Sequence, residues 1–510
     1  MRVLDAAEAR EVDAAAIETF GIPGLLLMEH AARAVADAVR EWLAPRGRVV
    51  VVAGAGNNAG DGYAAARLLQ VAAASVRIVS LVEQERLRGD AATNAGIWER
   101  LGGTTEDFSE QALDDVGPGD VVVDAIFGTG LRREPEGDFA AAIDAVNHAR
   151  SRGARVVAVD LPSGLSADTG VPPGAVVQAD CTVTFGTLKR GHVLQPGADL
   201  SGEVRVADIS IPPDALLGIG PPVRLLDKAF VQGLVPRRSA DSHKGNYGHC
   251  LVIAGSSGKS GAAALAVRGA LVGGAGLVSV ASRPEVIPQV LGHAMEAMGI
   301  ALPGDGPLGL TDVDALLEAA QGKAAILAGP GIPRGEETGA LVARLLAEAA
   351  CPVVLDADAL NAVAKATDCF LDANTEVVIT PHPGEMARLA GIPTAAVQAD
   401  RIGVAQRFAR GHRCTVVLKG ARTVIADPDG AVAICPTGNA GMATGGSGDV
   451  LGGLVAALLA QGLAAFAAAR AGVYVHGLAG DRRAAARGEM GLVAGDILDG
   501  IAEVWATWKR

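Results

Sequence analysis

The residues with the most to say about chemistry lie near the far end of the 510-residue chain, in Thr437 to Asp449, T-G-N-A-G-M-A-T-G-G-S-G-D. Glycine admits positive φ and close backbone approach, so successive N–H groups can converge on an anion where a helix begins and its dipole adds partial positive charge. The stretch reads as a phosphate cradle. A carboxylate at its rim, Asp449, would be repelled by phosphate unless it took a proton from a reacting hydroxyl. The plainer alternative is a glycine-rich turn ahead of a buried helix; the glycine spacing and the terminal Asp favour the cradle.

A second set of polar residues sits in the first half. The apolar run Arg48 to Ala53 leads into G-A-G-N-N-A-G-D-G, Gly54 to Gly62, and then into the helical Tyr63 to Val71. Strand, glycine loop, helix places a ligand at the carboxyl edge of a parallel sheet. A dinucleotide fingerprint is disfavoured, because after Gly54 and Gly56 the next glycine is Gly60. Asn57, Asn58 and Asp61 instead offer side-chain oxygens suited to a sugar, an amide or a monovalent cation. Val121 to Ile126 carries Asp124 into Phe127-Gly128-Thr129-Gly130, and Arg155 to Val159 delivers Asp160 into Leu161-Pro162-Ser163-Gly164. Any one strand-end Asp is usually a cap or turn former. On one edge of a parallel sheet, however, Asn58, Asp124, Asp160 and Ser163 can converge. Oxygen ligands of low total charge suit a hard cation, and Asp160 could act as general acid or base.

These residues need a scaffold, and length predicts two domains or three. Half of the residues are apolar, a fifth are charged and aromatics make up 3%, which suits helices packed closely on sheets. A net charge of −13 argues against a nucleic-acid surface and against an anionic membrane. The cysteines, Cys181, Cys250, Cys351, Cys369, Cys414 and Cys435, form no C-x-x-C pair, so neither zinc nor a disulfide framework is indicated and a reducing cytoplasm is the expected home. Met1 to Phe20 carries Asp5, Glu8, Glu11, Asp13 and Glu18 and reads as an amphipathic helix rather than a signal peptide. Val450 to Ala469 is uncharged and long enough to span a bilayer, but its Ala, Gly and Gln461 content predicts a buried helix instead. The breaker cluster Ile211-Pro212-Pro213 and Gly218-Ile219-Gly220-Pro221-Pro222 sets a domain boundary, giving 1–220 and 221–510.

In the second half, His249 to Ala254, Ala324 to Ala328, Pro352 to Asp356, Val377 to Thr380 and Thr415 to Lys419 are short apolar strands between Ala-rich helices, the pattern of a mostly parallel sheet covered on both faces. Gly255-Ser256-Ser257-Gly258-Lys259-Ser260 fails as a P-loop because Ile253 stands where the first glycine is required. Lys259 reads as the entry to a helix near substrate. Polar groups close other strands: Gly329-Pro330-Gly331, Asp356 to Asn361, Thr380-Pro381-His382-Pro383-Gly384-Glu385, and Lys419 to Thr423. His382 between two prolines has a defined ring direction, as a site or as a turn. Lys419 is either a snorkelling surface lysine or a phosphate contact.

Together these motifs resemble the bifunctional nicotinamide-nucleotide hydrate repair enzymes. Residues 1–215 resemble the NAD(P)HX epimerase domain, which implies a Rossmann-like three-layer α/β sandwich; 227–510 resemble the ADP-dependent NAD(P)HX dehydratase domain, which implies a ribokinase-like α/β fold. The family loop is written N-N-G-G-D-G, and Ala59 replaces one glycine. The resemblance implies potassium at Asn58, Asp124 and Ser163, and the reacting nicotinamide ring at Asp160. It implies substrate contacts from Asn57, Asn58, Ala59, Gly60 and Asp61 and from Gly128, Thr129, Gly130, Leu131, Arg132, Arg133 and Glu134. In the second domain it implies the anion hole and base at Gly446-Ser447-Gly448-Asp449. The ADP site would be Lys419, Gly420, Ala421, Arg422 and Thr423 with Asn439, Ala440, Gly441, Met442, Ala443, Thr444, Gly445, Gly446, Ser447 and Gly448. Ala262, Gly331, His382 and Asp449 would contact the hydrate.

The implied activity is repair of nicotinamide cofactors damaged by addition of water. Asp160 would serve interconversion of the R and S forms of NADHX and NADPHX. Phosphorylation of the S form, with Asp449 taking the hydroxyl proton and Mg²⁺ bridging phosphates, would make a leaving group and restore NADH or NADPH. The residues themselves do not separate ADP from ATP. A homo-oligomer is the expectation. Two rivals are a ribokinase-superfamily kinase of a vitamin or sugar alcohol, and an N-terminal half that only binds or scaffolds.

Overall fold

The computed structural model describes residues 1–131, 133–304, 306–333 and 335–508. Of the expected substrate contacts, Arg132 lies outside the described residues. The chain folds as two compact units, Met1–Gly220 and Pro221–Arg510.

The first unit opens with β1 (Arg2–Leu4) and α1 (Ala6–Ala14), then α2 (Gly24–Trp42), β2 (Arg48–Ala53), α3 (Asn57–Val71) and β3 (Ser75–Ser80). There follow α4 (Gly89–Arg100), β4 (Thr104–Asp107), β5 (Val121–Ala125), α5 (Asp138–Ser151), β6 (Arg155–Val159) and β7 (Cys181–Phe185). It ends with β8 (Leu188–Lys189), α6 (Arg190–Val193), α7 (Gly197–Leu200) and β9 (Glu203–Ala207). Seven parallel strands run in the order β4-β3-β2-β5-β6-β7-β9. Alternation along the pleat divides the valines of β2 between two cores. Val49 and Val51 pack with α2, α3 and Trp98 of α4, whereas Val50 and Val52 pack with Ile143 and Val146 of α5. The result is a three-layer sandwich.

Two local expectations change. Met1 to Phe20 is not one helix: Arg2–Leu4 is extended and pairs in parallel with β8. Asp5 then starts α1 with a capping box, its Oδ1 accepting from the Ala7 and Glu8 amides at 3.0 and 2.9 Å while Glu8 Oε2 accepts from the Asp5 amide at 2.8 Å. The glycine loop is also shorter than expected, because α3 already begins at Asn57. Its glycines serve close packing. A methyl at Gly60 would lie 2.8 Å from the Met28 thioether and 2.9 Å from Ala91 Cα, and one at Gly62 would lie 2.6 Å from the Ala125 methyl. Ala59, fully buried in the same helical turn, has no such neighbour constraint on φ and replaces the family glycine without backbone strain.

The second unit begins β10 (Val223–Leu225), α8 (Lys228–Leu234), β11 (His249–Ile253), α9 (Ser260–Val272), β12 (Leu277–Ser282), α10 (Ile287–Leu291) and β13 (Met298–Ala301). It continues α11 (Val313–Ala320), β14 (Ala325–Ala328), α12 (Glu336–Glu348), β15 (Val353–Leu355), α13 (Asp358–Val363), β16 (Val377–Ile379) and α14 (Pro383–Ala390). The last part is α15 (Thr394–Ala399), α16 (Arg401–His412), β17 (Thr415–Leu418), β18 (Val424–Ala426), β19 (Val432–Ile434), α17 (Ser447–Ala460), α18 (Ala465–Arg487) and α19 (Ala494–Thr507). Its strands run β13-β12-β11-β14-β15-β16-β17-β18-β19-β10, parallel from β13 to β17 and antiparallel through β17, β18 and β19. Inward residues such as Val252, Leu327, Val354 and Val417 share one core with α9, α17, α18 and α19.

The uncharged run Val450 to Ala469 is two helices, α17 and α18, separated at Gln461 to Ala464, where Gly462 takes φ 91°. No described helix is long and apolar enough to cross a membrane.

Candidate active sites

In the first unit the strand-end residues gather as the parallel edge requires. Asp160 follows β6 with φ 64°, an uncommon conformation for a non-glycine residue. Its amide donates to Val183 O at 2.8 Å, and its Oδ1 accepts from Lys189 Nζ at 2.7 Å and Thr184 Oγ1 at 2.9 Å. Burial alone would raise the Asp160 pKa; the Lys189 ammonium and the hydrogen bonds outweigh it, and the carboxyl stays below its ordinary range. His192 closes the cage. Its Nδ1 accepts from the Lys189 amide at 3.0 Å, so Nε2 carries the proton and donates to Asp160 O at 2.8 Å. Burial and the neighbouring Lys189 push His192 down to about 4, which keeps the ring neutral.

Asp61, buried in α3, behaves in the opposite way. Desolvation first, then the charges of Asp160 and Asp13, push its carboxyl well above the ordinary range. Asp13 on α1 is raised to about 6 by its surroundings and by Asp160, against the pull of Lys189. All line a cavity of about 330 Å³ that also includes Asn57 and Thr129. A carboxyl held below its ordinary range and one pushed well above it therefore face the same space, an arrangement suited to moving a proton from one atom to another.

Asp124 and Ser163 form the adjoining group. Asp124 Oδ1 accepts from Ser163 Oγ at 2.5 Å and Oδ2 accepts from the Ser163 amide at 2.8 Å, while Ser163 Oγ accepts from the Phe127 amide at 2.8 Å. Desolvation pushes Asp124 up to about 6. Beside Phe127, a methyl at Gly128 would lie 3.0 Å from Asn58 Oδ1 and 3.5 Å from Asp160 Oδ2, so the glycine stands between these two side chains. Asn58 Nδ2 is buried without a hydrogen-bond acceptor. Arg133 and Glu134, further along the second loop, are exposed.

In the second unit α17 starts at the cradle, with Gly446 as N-cap at φ 89°. The Ser447 amide donates to Thr444 O at 3.4 Å, while the Gly448 and Asp449 amides of the same turn have no intrahelical carbonyl one turn back. Asp449 lies in that turn, and its pKa is pushed up to about 7, first by desolvation, then by the charges of Asp356 and Asp358, with Lys419 opposing. Lys419 is neither a surface lysine nor simply an open phosphate contact. Its Nζ lies 2.7 Å from Asp356 Oδ1 and 3.9 Å from Glu385 Oε2. A methyl at Gly448 would sit 3.3 Å from that Nζ. The lysine thus places its charge directly beneath the cradle, on Asp356, which also accepts from Thr380 Oγ1 at 2.7 Å.

His382 caps α14. Its Nδ1 accepts from the Gly384 amide at 3.0 Å and the Glu385 amide at 3.4 Å, while Glu385 Oε2 accepts from the His382 amide at 2.8 Å. The ring proton is therefore on Nε2, and burial with Lys419 and Arg388 nearby lowers the pKa so that the ring is neutral. Gly331 has φ 67°, and a methyl there would lie 2.9 Å from Lys259 O and 3.2 Å from the Ala262 methyl. Lys259 Nζ in turn pairs with Asp358 Oδ2 at 3.0 Å. In the expected nucleotide segments, Arg422 donates to Pro436 O at 3.1 Å, and Asn439 donates to Asp481 Oδ1 at 2.9 Å while accepting from the Gly441 amide at 3.0 Å.

Asp356 and Asp358, which the sequence marks only as polar residues closing a strand, take specific partners here. Lys189 has no sequence signal at all: its charge turns inward from a two-residue strand, and only the partner Asp160 explains it.

Comparison with known sequences separates the units in the same way. Residues 24–191 match the family described as YjeF-related protein N-terminus, and 250–503 match NAD(P)H-hydrate dehydratase. The bifunctional NAD(P)H-hydrate repair enzyme of Moorella thermoacetica is 43% identical, covering 98% of this chain and 96% of its own. That of Escherichia coli is 36% identical, covering 98% and 92%. Among solved structures, the ADP/ATP-dependent NAD(P)H-hydrate dehydratase of Bacillus subtilis, co-crystallised with ATP and Mg²⁺, covers 56% of this chain and 99% of its own at 34% identity and a TM-score of 0.50.

Proposed function

The chain belongs to the family of bifunctional NAD(P)H-hydrate repair enzymes, and on that premise we propose how its two units divide the work. The enzyme epimerises the R and S hydrates, NADHX and NADPHX, and dehydrates the S form to NADH or NADPH. Residues 1–220 carry the epimerase and 221–510 the dehydratase.

Epimerisation inverts the hydroxyl-bearing carbon beside N1, so one of its bonds must break and re-form. As the hydroxyl proton leaves, the C–O bond becomes C=O and the C–N1 pair goes to N1, which takes a proton; the reverse steps close the ring on the other face. Asp160 accepts the hydroxyl proton; the Lys189 pair keeps its carboxylate ionised. Asp61, whose carboxyl burial pushes well above the ordinary range in the same cavity, supplies the proton to N1 as the C–N1 bond opens. Asn57 to Asp61 and Gly128 to Glu134 border the ligand. Asn58, Asp124 and Ser163 present oxygens around one desolvated carboxylate, a donor set that fits potassium. A bound potassium ion would supply positive charge that neutralises Asp124.

In the dehydratase, Ala262, Gly331 and His382 border the hydrate, with His382 Nε2–H as a donor. Lys419 to Thr423 and Asn439 to Gly448 hold the nucleotide, and the α17 amides stabilise the transferred phosphoryl. Asp449 takes the hydroxyl proton, which its pKa of about 7 permits at neutral pH. Phosphate leaves more readily than hydroxide, so elimination follows. Among the described residues no three acidic, His or Cys side chains converge on one point. Mg²⁺ would therefore be held mainly by nucleotide phosphates and water, with at most a carboxylate or two. ADP is the donor in this reading.

The observation that carries it is the position of Asp449 at the mouth of a glycine cradle, above the Lys419–Asp356 pair, in a chain that also holds the Asp160–Lys189 cavity. Buried, unpaired cysteines accord with a cytoplasmic enzyme. The homo-oligomer rests on the family resemblance alone. Mixed NADHX epimers incubated with ADP, and separately with ATP, test the whole: absorbance of the reduced ring should return for both epimers. Accumulation of a stable phosphorylated product would instead indicate a small-molecule kinase.

A further inference from the structure

Dehydration removes two protons where a kinase removes one. Hydration of a dihydronicotinamide leaves a hydroxyl on C6, beside N1, and an added hydrogen on C5. Restoring the C5=C6 bond requires breaking a C5–H bond as well as the C6–O bond. Asp449 serves the hydroxyl proton and is spent by it, so elimination calls for another acceptor.

We propose that Asp358 is this second base and that Lys259 holds it in place, an assignment that rests on the dehydratase reading above. Asp358 opens α13 directly after Ala357, which is held at φ 50°, and its Oδ2 lies 3.0 Å from Lys259 Nζ. Lys259 leads into α9, and its own carbonyl is the atom a methyl at Gly331 would strike at 2.9 Å, with the Ala262 methyl alongside at 3.2 Å. The pair therefore borders the two small residues expected against the hydrate ring. Asp358 also faces Asp449 closely enough for its charge to contribute to raising that carboxyl. Two carboxylates thus approach one site from two helix starts, those of α13 and α17.

The neighbouring groups are engaged elsewhere. Asp356 is 1% exposed beneath α17 and carries Lys419 and Thr380. Glu385 caps His382. His382 has its Nδ1 lone pair committed to two amides, and its Nε2 bears a proton.

The step balances without oxidant or reductant. Phosphoryl transfer forms the O–P bond, breaks the terminal phosphoanhydride of ADP and passes the hydroxyl proton to Asp449. The C6–O bond then breaks with its electron pair on the departing phosphate while the N1 lone pair forms C6=N1. Asp358 takes the C5 proton, the C5–H pair becomes C5=C6, and the lone pair returns to N1. AMP, phosphate and the dihydronicotinamide are the products.

The test uses the full-length protein with S hydrate and ADP, following AMP and the reduced-ring absorbance in the same reaction. Wild type should form both at one rate. With Asp358→Asn, AMP should still form, the phosphorylated hydrate should become detectable by mass spectrometry, and absorbance recovery should slow by about 100-fold. Lys259→Met should show the same split more weakly and carries the test if Asp358→Asn does not fold. Deuterium at C5 of the hydrate should slow recovery but not AMP formation in both variants. Equal loss of AMP and recovery, or loss of neither, in both variants overturns the role of Asp358. Failure of wild type to form AMP from the hydrate overturns the dehydratase reading itself.

Discussion

Lys189 and Asp160 form a buried ion pair, Nζ to Oδ1 at 2.7 Å, across 29 residues of sequence, and Thr184 bonds both partners. Removing one member of such a pair leaves the other buried and unpaired. Lys189→Met should therefore raise the Asp160 pKa and slow R-hydrate consumption at pH 7 by about 100-fold, with dehydration of S hydrate unaffected. The rate should partly recover at higher pH, where Asp160 ionises again. A pH profile of R-hydrate turnover checks both.

Asp449 is raised to about 7 mainly by desolvation. A base must be deprotonated to act, so nucleotide-dependent dehydration should climb with pH through about 7 and then level. Asp449→Asn should abolish AMP formation along with recovery of absorbance, while R and S hydrates continue to interconvert. Stopped assays across pH with both proteins distinguish these outcomes from a general loss of folding.

Asp124 is raised to about 6 by burial. The folded state then binds a proton more tightly than the unfolded one, so the Asp124 contribution is fully favourable below the ordinary carboxylate pKa and is lost as pH rises through about 6. Potassium should reverse that loss. Thermal unfolding is expected to show a larger stabilisation by potassium over sodium at pH 7 than at pH 4.5, and none in Asp124→Asn.

Gly62 packs α3 onto β5 with 2.6 Å between an added methyl and the Ala125 methyl. Gly62→Ala should destabilise the first unit by about 1–3 kcal/mol and lower its unfolding midpoint. At Gly56 an added methyl would meet open space, so Gly56→Ala serves as a control in denaturant titrations.

Much of this was readable in advance because parallel strands write themselves as apolar runs. The run Val49 to Val52 and the strand-end residues Asp124, Asp160 and Ser163 follow from one rule, that side chains at carboxyl ends share an edge. Local rules also placed the cradle ahead of α17. What escaped depended on tertiary neighbours. Lys189 becomes a buried cation only because Asp160 lies across from it, and Lys419 points into the protein because Asp356 and Glu385 are there to receive it. The glycines of Asn57 to Gly62 looked like loop residues because glycine suits both a bend and a tight helix contact; only Met28, Ala91 and Ala125 show which.

Helices α9 and α17 lie side by side through small residues. A methyl at Gly269 would be 2.5 Å from Val450 O, and one at Gly273 would be 2.8 Å from the Ala457 methyl. One of these helices starts beside Lys259 and Ala262, the other at Gly446 and Asp449. Interlocked in this way, the two amino ends behave like the jaws of a fixed-gap gauge, which in the proposed reaction would set the distance the phosphoryl group travels.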